Sequence, residues 1–297
     1  MKKICIIGSS GFIGKNIYDK LIRNNEFKII RYSSLENKFL DYNLDDSFDI
    51  LIFCSGLHPH VDQKIKGIFL KNKEILRKCK KLFFLSKKII FFSSFKTSFN
   101  KNSHHVKFSN KYNFYEFDSE YGKSKIILEK IFLKICNKFK KRYIIISPTH
   151  VIGPNDCNLN PNNKFLLNIS KKKIILYPNV NIPLIDVRNL SNFVEDSILN
   201  DTINNQKVIV NDSTIKLKKY IQIAKQGTFY ISLSINLKLL IFINNVLNFL
   251  GVKLINKSRA KYIEINPIVD SNKIKNQYTL EQTIKDTIYF FKNKKNL

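Results

Sequence analysis

Tyr121 and Lys125 stand four residues apart in a stretch of helical periodicity, so their side chains share one helix face. An ammonium a few ångströms from a phenol favours the phenolate and lowers the tyrosine pKa from its ordinary value of about 10. A pair of that kind can move a proton to or from an oxygen near neutral pH. In a chain with 51 Lys and Arg the Tyr-x-x-x-Lys spacing arises often by chance, so its context carries the weight. Upstream, the apolar run Lys88-Ile89-Ile90-Phe91-Phe92 ends in Ser93-Ser94, which brings Ser94 out at the C-terminal edge of a buried strand. At the N-terminus, Ile4-Cys5-Ile6-Ile7 runs straight into Gly8-Ser9-Ser10-Gly11-Phe12-Ile13-Gly14. Taken together, the glycine turn, the Ser-Ser strand end and the tyrosine-lysine pair make a strong constellation.

The elements that must position these groups follow from the same stretches. A short β-branched run, three glycines and then a helical pattern read as a buried strand, a tight turn and a helix. Glycine is needed where backbone passes close to a ligand and where the helix packs on the strand; the free amides and the positive helix end then face a pyrophosphate. A dinucleotide is the expected occupant. The second strand, Phe27 to Ile30, ends at Arg31-Tyr32-Ser33-Ser34, where an acid would accept from the adenosine ribose and an arginine would pair with a 2′-phosphate. Arg31 therefore favours NADP over NAD, and Asp41 is placed near the adenine edge. Asp49 to Cys54 is a further buried strand, closed by Ser55-Gly56, where small residues admit the cofactor. The Leu57-His58-Pro59-His60 loop lies at a strand C-terminus, so His58 is a candidate for lining the pocket. A helix is expected over 62–81 carrying Asn72, a polar loop over 96–118, a helix over 119–141 and a strand over 143–148. The segment 149–154 reads as a turn. Beyond it the pattern gives short strands near 173–176 and 183–186, helices at 189–199, 215–225 and 233–250, a late strand at 207–210 and a terminal helix at 280–294.

At 297 residues and 44% hydrophobic, the chain suits a nucleotide-binding domain over 1–155 and a smaller, mainly substrate-binding lobe over 156–297, with later segments returning to the first sheet. The formal charge of +28 invites a nucleic-acid reading, but lysines are scattered through every segment alongside abundant Asn and Ile, as in an AT-rich genome. No aromatic-basic recognition motif accompanies them. Five isolated cysteines, with no Cys-x-x-Cys pair and no His/Cys cluster, lead to the expectation of a reduced cytoplasmic protein without a metal site. With the first strand read directly after Met-Lys-Lys, the expectation is that no signal peptide precedes it. The apolar run from Phe229 to Leu250 is interrupted by Asn236, Lys238, Asn244, Asn245 and Asn248, so it reads as a core or interfacial helix rather than a spanning one, with peripheral membrane contact left open.

These residues resemble the extended short-chain dehydrogenase/reductase family, the NAD-dependent epimerase and dehydratase group that works on nucleotide-sugars. The resemblance rests on Gly8 to Gly14, Asn72, Ser93-Ser94-Phe95-Lys96, Tyr121 to Lys125 with Glu129, Pro148 to Pro154, and Asp270 to Ile274. The Ser-Ser-Phe-Lys step and the hydrophobic run at 233–250 look most like a polysaccharide-biosynthesis branch of 4-ketoreductases and C4-epimerases. It implies an α/β fold, a Rossmann-like doubly wound parallel sheet with a smaller C-terminal lobe. It implies Tyr121 as general acid/base, Lys125 on the nicotinamide ribose, Ser94 on the reacting oxygen and Asn72 steadying the neighbouring helix. Ser10, Phe12, Ile13, Ser55, Gly56, Ser93 and Pro148 would line the cofactor, NADP or NAD, while Phe95, Lys96, His58 and His150 would face the nucleotide-sugar. A homodimer is implied by the family alone. Four departures stand out: Ser147 where the family has arginine, Ile152 for tyrosine, Arg188 where many relatives carry an acid, and no Leu-Gly-Trp-like step after Lys273. The competing expectations are a non-catalytic NAD(P)-binding sensor of the same fold and, further off, a nucleic-acid-binding protein.

Overall fold

The computed structural model describes residues 1–33, 38–39, 47–56, 67–98, 105–106, 120–200, 202–236, 239–240, 242–243, 246, 266–269 and 276–293. The first half runs β1 (Lys2–Ile7), α1 (Phe12–Leu21), β2 (Phe27–Ser33), β3 (Lys38–Phe39), β4 (Phe48–Phe53), α2 (Ile68–Lys78), α3 (Lys80–Leu85) and β5 (Ser86–Phe92). A 3-10 turn (Phe95–Ser98), β6 (His105–Val106), α4 (Glu120–Lys138) and β7 (Arg142–Pro148) follow. The remainder runs β8 (His150–Ile152), α5 (Pro161–Lys171), β9 (Ile174–Pro178), β10 (Asn181–Asp186), α6 (Val187–Leu199), β11 (Gln206–Val210), β12 (Ser213–Lys216), α7 (Leu217–Ala224), β13 (Ile231–Ile235), β14 (Ile268–Val269) and α8 (Leu280–Asn293).

Seven strands form the central sheet in the order β11-β7-β5-β4-β1-β2-β3. All neighbours are parallel except β2 and β3. Because successive side chains alternate across a strand, the apolar runs cover both faces of the sheet. Ile4, Ile6, Ile52, Ile90 and Ile146 meet α1 and α6 on one face. Cys5, Ile7, Leu51, Phe53, Phe91 and Ile145 meet α2, α3 and α4 on the other. There Phe91 stacks between Phe53 and Phe132, with ring centroids 5.4 and 4.4 Å apart. The strand order reverses between β1 and β4, and open α/β sheets bind their ligands at such a point. This is the doubly wound, Rossmann-like α/β architecture expected from the sequence.

Beyond residue 155, β11 pairs with β7, and α6 packs against α1. The C-terminal carbonyls of α6 are satisfied by lysines of the sheet. Lys2 Nζ donates to Ile198 O at 2.8 Å, and the buried Lys88 donates to Ser197 O and Ile203 O. Cations suit a helix C-terminus both as donors and through the helix dipole. A separate apolar cluster, centred on Leu166, Tyr177, Leu184, Tyr220 and Ile284, joins α5, β9, β10, α7 and α8.

Three expectations are corrected. The segment read as a turn at 149–154 contains β8, whose pairing with β10 in a three-stranded sheet draws it straight. Helix α5 was not expected; its signal is Asn160, which caps the backbone amides of Asn162 and Asn163, followed by Pro161 at the first helical position. The helix expected over 233–250 begins later, because Ile231-Ser-Leu233-Ser-Ile235 alternates with period two and pairs as β13 with β9. Asp41, His58, His60 and Asp270 lie outside the described residues.

Candidate active site

The glycine turn between β1 and α1 is closed on itself and on β4. Gly8 has φ +86°, and a Cβ there would sit 2.9 Å from the Ser55 backbone nitrogen. A Cβ on Gly14 would lie 2.2 Å from Gly8 O, so α1 can approach the turn only with glycine at that position. The Gly11 amide donates to Gly8 O at 3.0 Å, and Gly11 caps α1 with no side-chain hydrogen bond to the helix start. Ser9 is buried, Ser10 is exposed, and Phe12 and Ile13 are half-buried. A bare helix N-terminus beside a cradle too tight for side chains fits a dinucleotide pyrophosphate.

Ser55 and Gly56, directly after β4, join this turn to the tyrosine helix. An added Cβ on Gly56 would lie 3.5 Å from Lys125 Nζ and 3.7 Å from Asn72 Oδ1. Asn72, buried on α2, reaches Ser124 Oγ on α4 at 3.5 Å. Lys125 Nζ also donates to Phe92 O at the end of β5, at 3.4 Å. Two residues past the end of β5, Ser94 shares a side-chain hydrogen bond with the Tyr121 hydroxyl. The structure thus brings Gly8, Gly56, Asn72, Lys125, Tyr121 and Ser94 into one continuous site above the strand ends.

Electrostatics correct one expectation. Burial pushes the Tyr121 phenol up to about 12, offset in part by the Ser94 hydrogen bond, rather than below its ordinary value. The Lys125 ammonium lies over the Tyr121 ring, 5.9 Å from its centroid. Burial in turn depresses Lys125 to about 8, while the charge of Glu129 acts upward on it.

Beneath the site is a buried polar network that spacing alone did not reveal. Glu129, fully buried one turn beyond Lys125, accepts from the Ser93 hydroxyl. Lys207 Nζ, from β11, donates to Glu129 Oε2 at 3.0 Å and to Thr97 Oγ1 at 2.6 Å. The Thr97 hydroxyl lies 2.8 Å from both Glu129 Oε1 and Ser94 O. A single carboxylate therefore ties the Ser93-Ser94 strand end to the tyrosine helix. Glu129 belongs to the quoted motif; Thr97 and Lys207 do not, and a lysine gives no signal in a chain so rich in them.

The remaining site residues take varied places. Arg31 lies over the Tyr18 ring of α1, 4.9 Å from its centroid. Phe95 is buried, edge-on to the His150 ring with centroids 5.1 Å apart. Lys96 is half-buried, with its amide 3.4 Å from Ser94 Oγ. His150 Nδ1 lies 3.1 Å from Pro183 O, and Pro148 is buried at the end of β7. Ser147, in place of the family arginine, is fully buried with no hydrogen-bond partner for its hydroxyl. Arg188 works structurally: it holds Asp186 and Asp286 and stacks on Tyr278 at 3.7 Å, fastening α6 to α8. Among the described residues, no group of three or more His, Cys, Asp or Glu is arranged to hold a metal ion.

Solved structures share this fold along the whole chain. That of gox2253 aligns over 99% of both chains with a TM-score of 0.78 at 13% identity. RMD from Pseudomonas aeruginosa, complexed with NADPH, aligns over 99% of this chain and 100% of its own (TM-score 0.67, 15% identity). UDP-glucose 4-epimerase from Bifidobacterium longum, in complex with NAD+ and UDP, covers 99% of both (TM-score 0.67, 14% identity). No curated protein matches the sequence. Residues 4–181, which carry the glycine turn, Ser94, Tyr121 and Lys125, match the NAD dependent epimerase/dehydratase family, and the chain belongs to that family.

Proposed function

We propose that the protein uses NADP or NAD to reduce a 4-keto group, or to epimerise C4, on a nucleotide-sugar destined for surface polysaccharide. The observation that carries this reading is the Ser94–Tyr121 hydrogen bond beside Lys125 and the glycine cradle. The cradle fits a dinucleotide because glycine at positions 8 and 14 lets the turn close on β4 and on the start of α1, which has no side-chain cap hydrogen bond. Gly8, Gly11 and the start of α1 would hold the pyrophosphate and Lys125 the nicotinamide ribose, with Asn72 beside the cofactor steadying α4 through Ser124. Arg31 is the candidate for a 2′-phosphate, which favours NADP. When bound, the nicotinamide nucleotide supplies or accepts the hydride; the chain supplies orientation and the proton. Ser94 fixes the sugar oxygen, and Tyr121 donates its proton to that oxygen.

A phenol held neutral by burial suits donation, and hence the reductive direction, because the proton to be given is already present at neutral pH. The bound NADPH and UDP of the two structural neighbours agree with the substrate and cofactor class. Incubating the purified chain with NADPH and a panel of nucleotide-sugars and their 4-keto forms tests this. Consumption of NADPH with a 4-keto nucleotide-sugar is expected. Interconversion of C4 epimers with a retained cofactor would select epimerisation, and inertness toward the whole panel would contradict both.

A further inference from the structure

In the parallel pair β9–β13, Ile174 sits beside Ile231 and Leu176 beside Leu233. Strand alternation turns Ile175 and Tyr177 into the apolar cluster of the second lobe and leaves the two rungs on the outer face. Ile174 and Leu176 are 62% and 65% exposed, and Phe229, just ahead of β13, is 85% exposed. After β13 the chain turns helical, with Leu240 N donating to Asn236 O. Leu239, Phe242 and Val246 are exposed there at a spacing that shares one helix face. Eight of the sixteen large apolar side chains exposed among the described residues belong to these two strands, Phe229 and this helical stretch. Of the core or interfacial helix expected over this run, the described Leu239, Phe242 and Val246 face outward, in line with the interfacial alternative. Concentrated exposed apolar surface of this kind marks an interaction site.

Charge identifies the partner. Residues 157–185 hold four lysines and no acid, and residues 213–263 hold nine Lys or Arg and no acid. These 80 residues supply +13 of the chain's +28, more than twice the charge density of the remaining 217. Lys171, Lys172 and Lys173 are exposed immediately before Ile174, and on α7, which packs against β9, Lys218 and Lys219 are exposed, the latter 3.9 Å from Glu281. A second copy of the chain would bring two such like-charged surfaces together. An anionic bilayer takes both features: apolar side chains enter the headgroup boundary while lysines reach the phosphates. No helix among the described residues is long and apolar enough to cross a membrane, which limits the contact to the surface.

We propose that the outer face of β9–β13, with Phe229 and its lysine rim, docks the protein on anionic phospholipid bilayers. This stands independently of the catalytic reading. The test is co-sedimentation of the full purified chain with vesicles of phosphatidylcholine alone or mixed in equal parts with phosphatidylglycerol. Binding to the anionic vesicles only is expected, weakened by salt. The double variant Leu176→Asp, Leu233→Asp, which alters exposed positions, should bind about tenfold more weakly or worse with an unchanged melting temperature. Should that variant fail to fold, the triple variant Lys171→Gln, Lys172→Gln, Lys173→Gln should lose the salt-sensitive part of binding. Failure of the wild type to pellet with anionic vesicles would overturn the proposal. So would a concentration-dependent dimer abolished by the double variant, or retention on polyglutamate without retention on vesicles.

Discussion

Glu129 is where the site's geometry and its electrostatics meet. It accepts from Ser93, is bridged to Ser94 through Thr97, pairs with Lys207, and by its charge holds up the pKa of Lys125, which burial depresses. In the free enzyme Lys125 loses its proton near pH 8, so kcat/KM should fall as pH rises through that value. Glu129→Gln removes the carboxylate that raises this pKa, so the alkaline limb should move to lower pH while the acid side is unchanged. A pH–rate profile measured with the same substrate checks it; an unmoved limb would mean that Lys125 does not feel Glu129. At this scale the sequence was legible where spacing encodes a face, as for Tyr121 and Lys125, or a strand end, as for Ser94. It was illegible where distant segments meet, as for Lys207 on β11 and Thr97 after β5. It also misjudged the sign of the Tyr121 shift, because burial of a hydroxyl is not written in i, i+4 spacing.

At the scale of elements, a set of carboxylates at the start of α6 ties that helix to α8 and to the end of β11. Asp186 caps α6 and takes Arg188 and Thr283, while Asp212, following β11, accepts from the Asp186 amide at 2.7 Å and from Asn189 at 2.9 Å. The other Asp212 oxygen is buried with no hydrogen-bond partner. Burial, with Asp186 nearby, raises the Asp212 pKa from 3.8 to about 6. Between those values the folded chain keeps a proton that the unfolded chain has lost, so stability falls as pH rises through the window. Above it the loss is complete, about 1–3 kcal/mol. Asp212→Asn should flatten the dependence of melting temperature on pH across this window and raise the melting temperature at neutral pH. Parallel wild-type and variant curves would contradict the assignment. The strands of this framework were readable as short β-branched runs between turn residues. Helix α5 and strand β13 were not read, although Asn160-Pro161 and the alternation from Ile231 to Ile235 carried their signals; the irregular spacing beyond 150 and an overall apolar run concealed them.

At the scale of the whole molecule, four segments widely separated in the chain converge on one site: the glycine turn, the step after β4, the end of β5 and the first turns of α4. A parallel sheet achieves this because every strand delivers its C-terminal end to the same edge, on either side of the β1–β4 reversal. The segments that form the exposed β9–β13 face, 157–185 and 213–263, hold lysines and arginines but no acid. The most direct test of the account is Tyr121→Phe, which deletes one hydroxyl and leaves the cradle intact. Loss of that general acid should lower turnover on the nucleotide-sugar substrate by about 10²-fold or more, with nicotinamide nucleotide affinity unchanged. Turnover retained at the wild-type level would show that Tyr121 is not the proton donor and that the reaction proposed for this site is wrong.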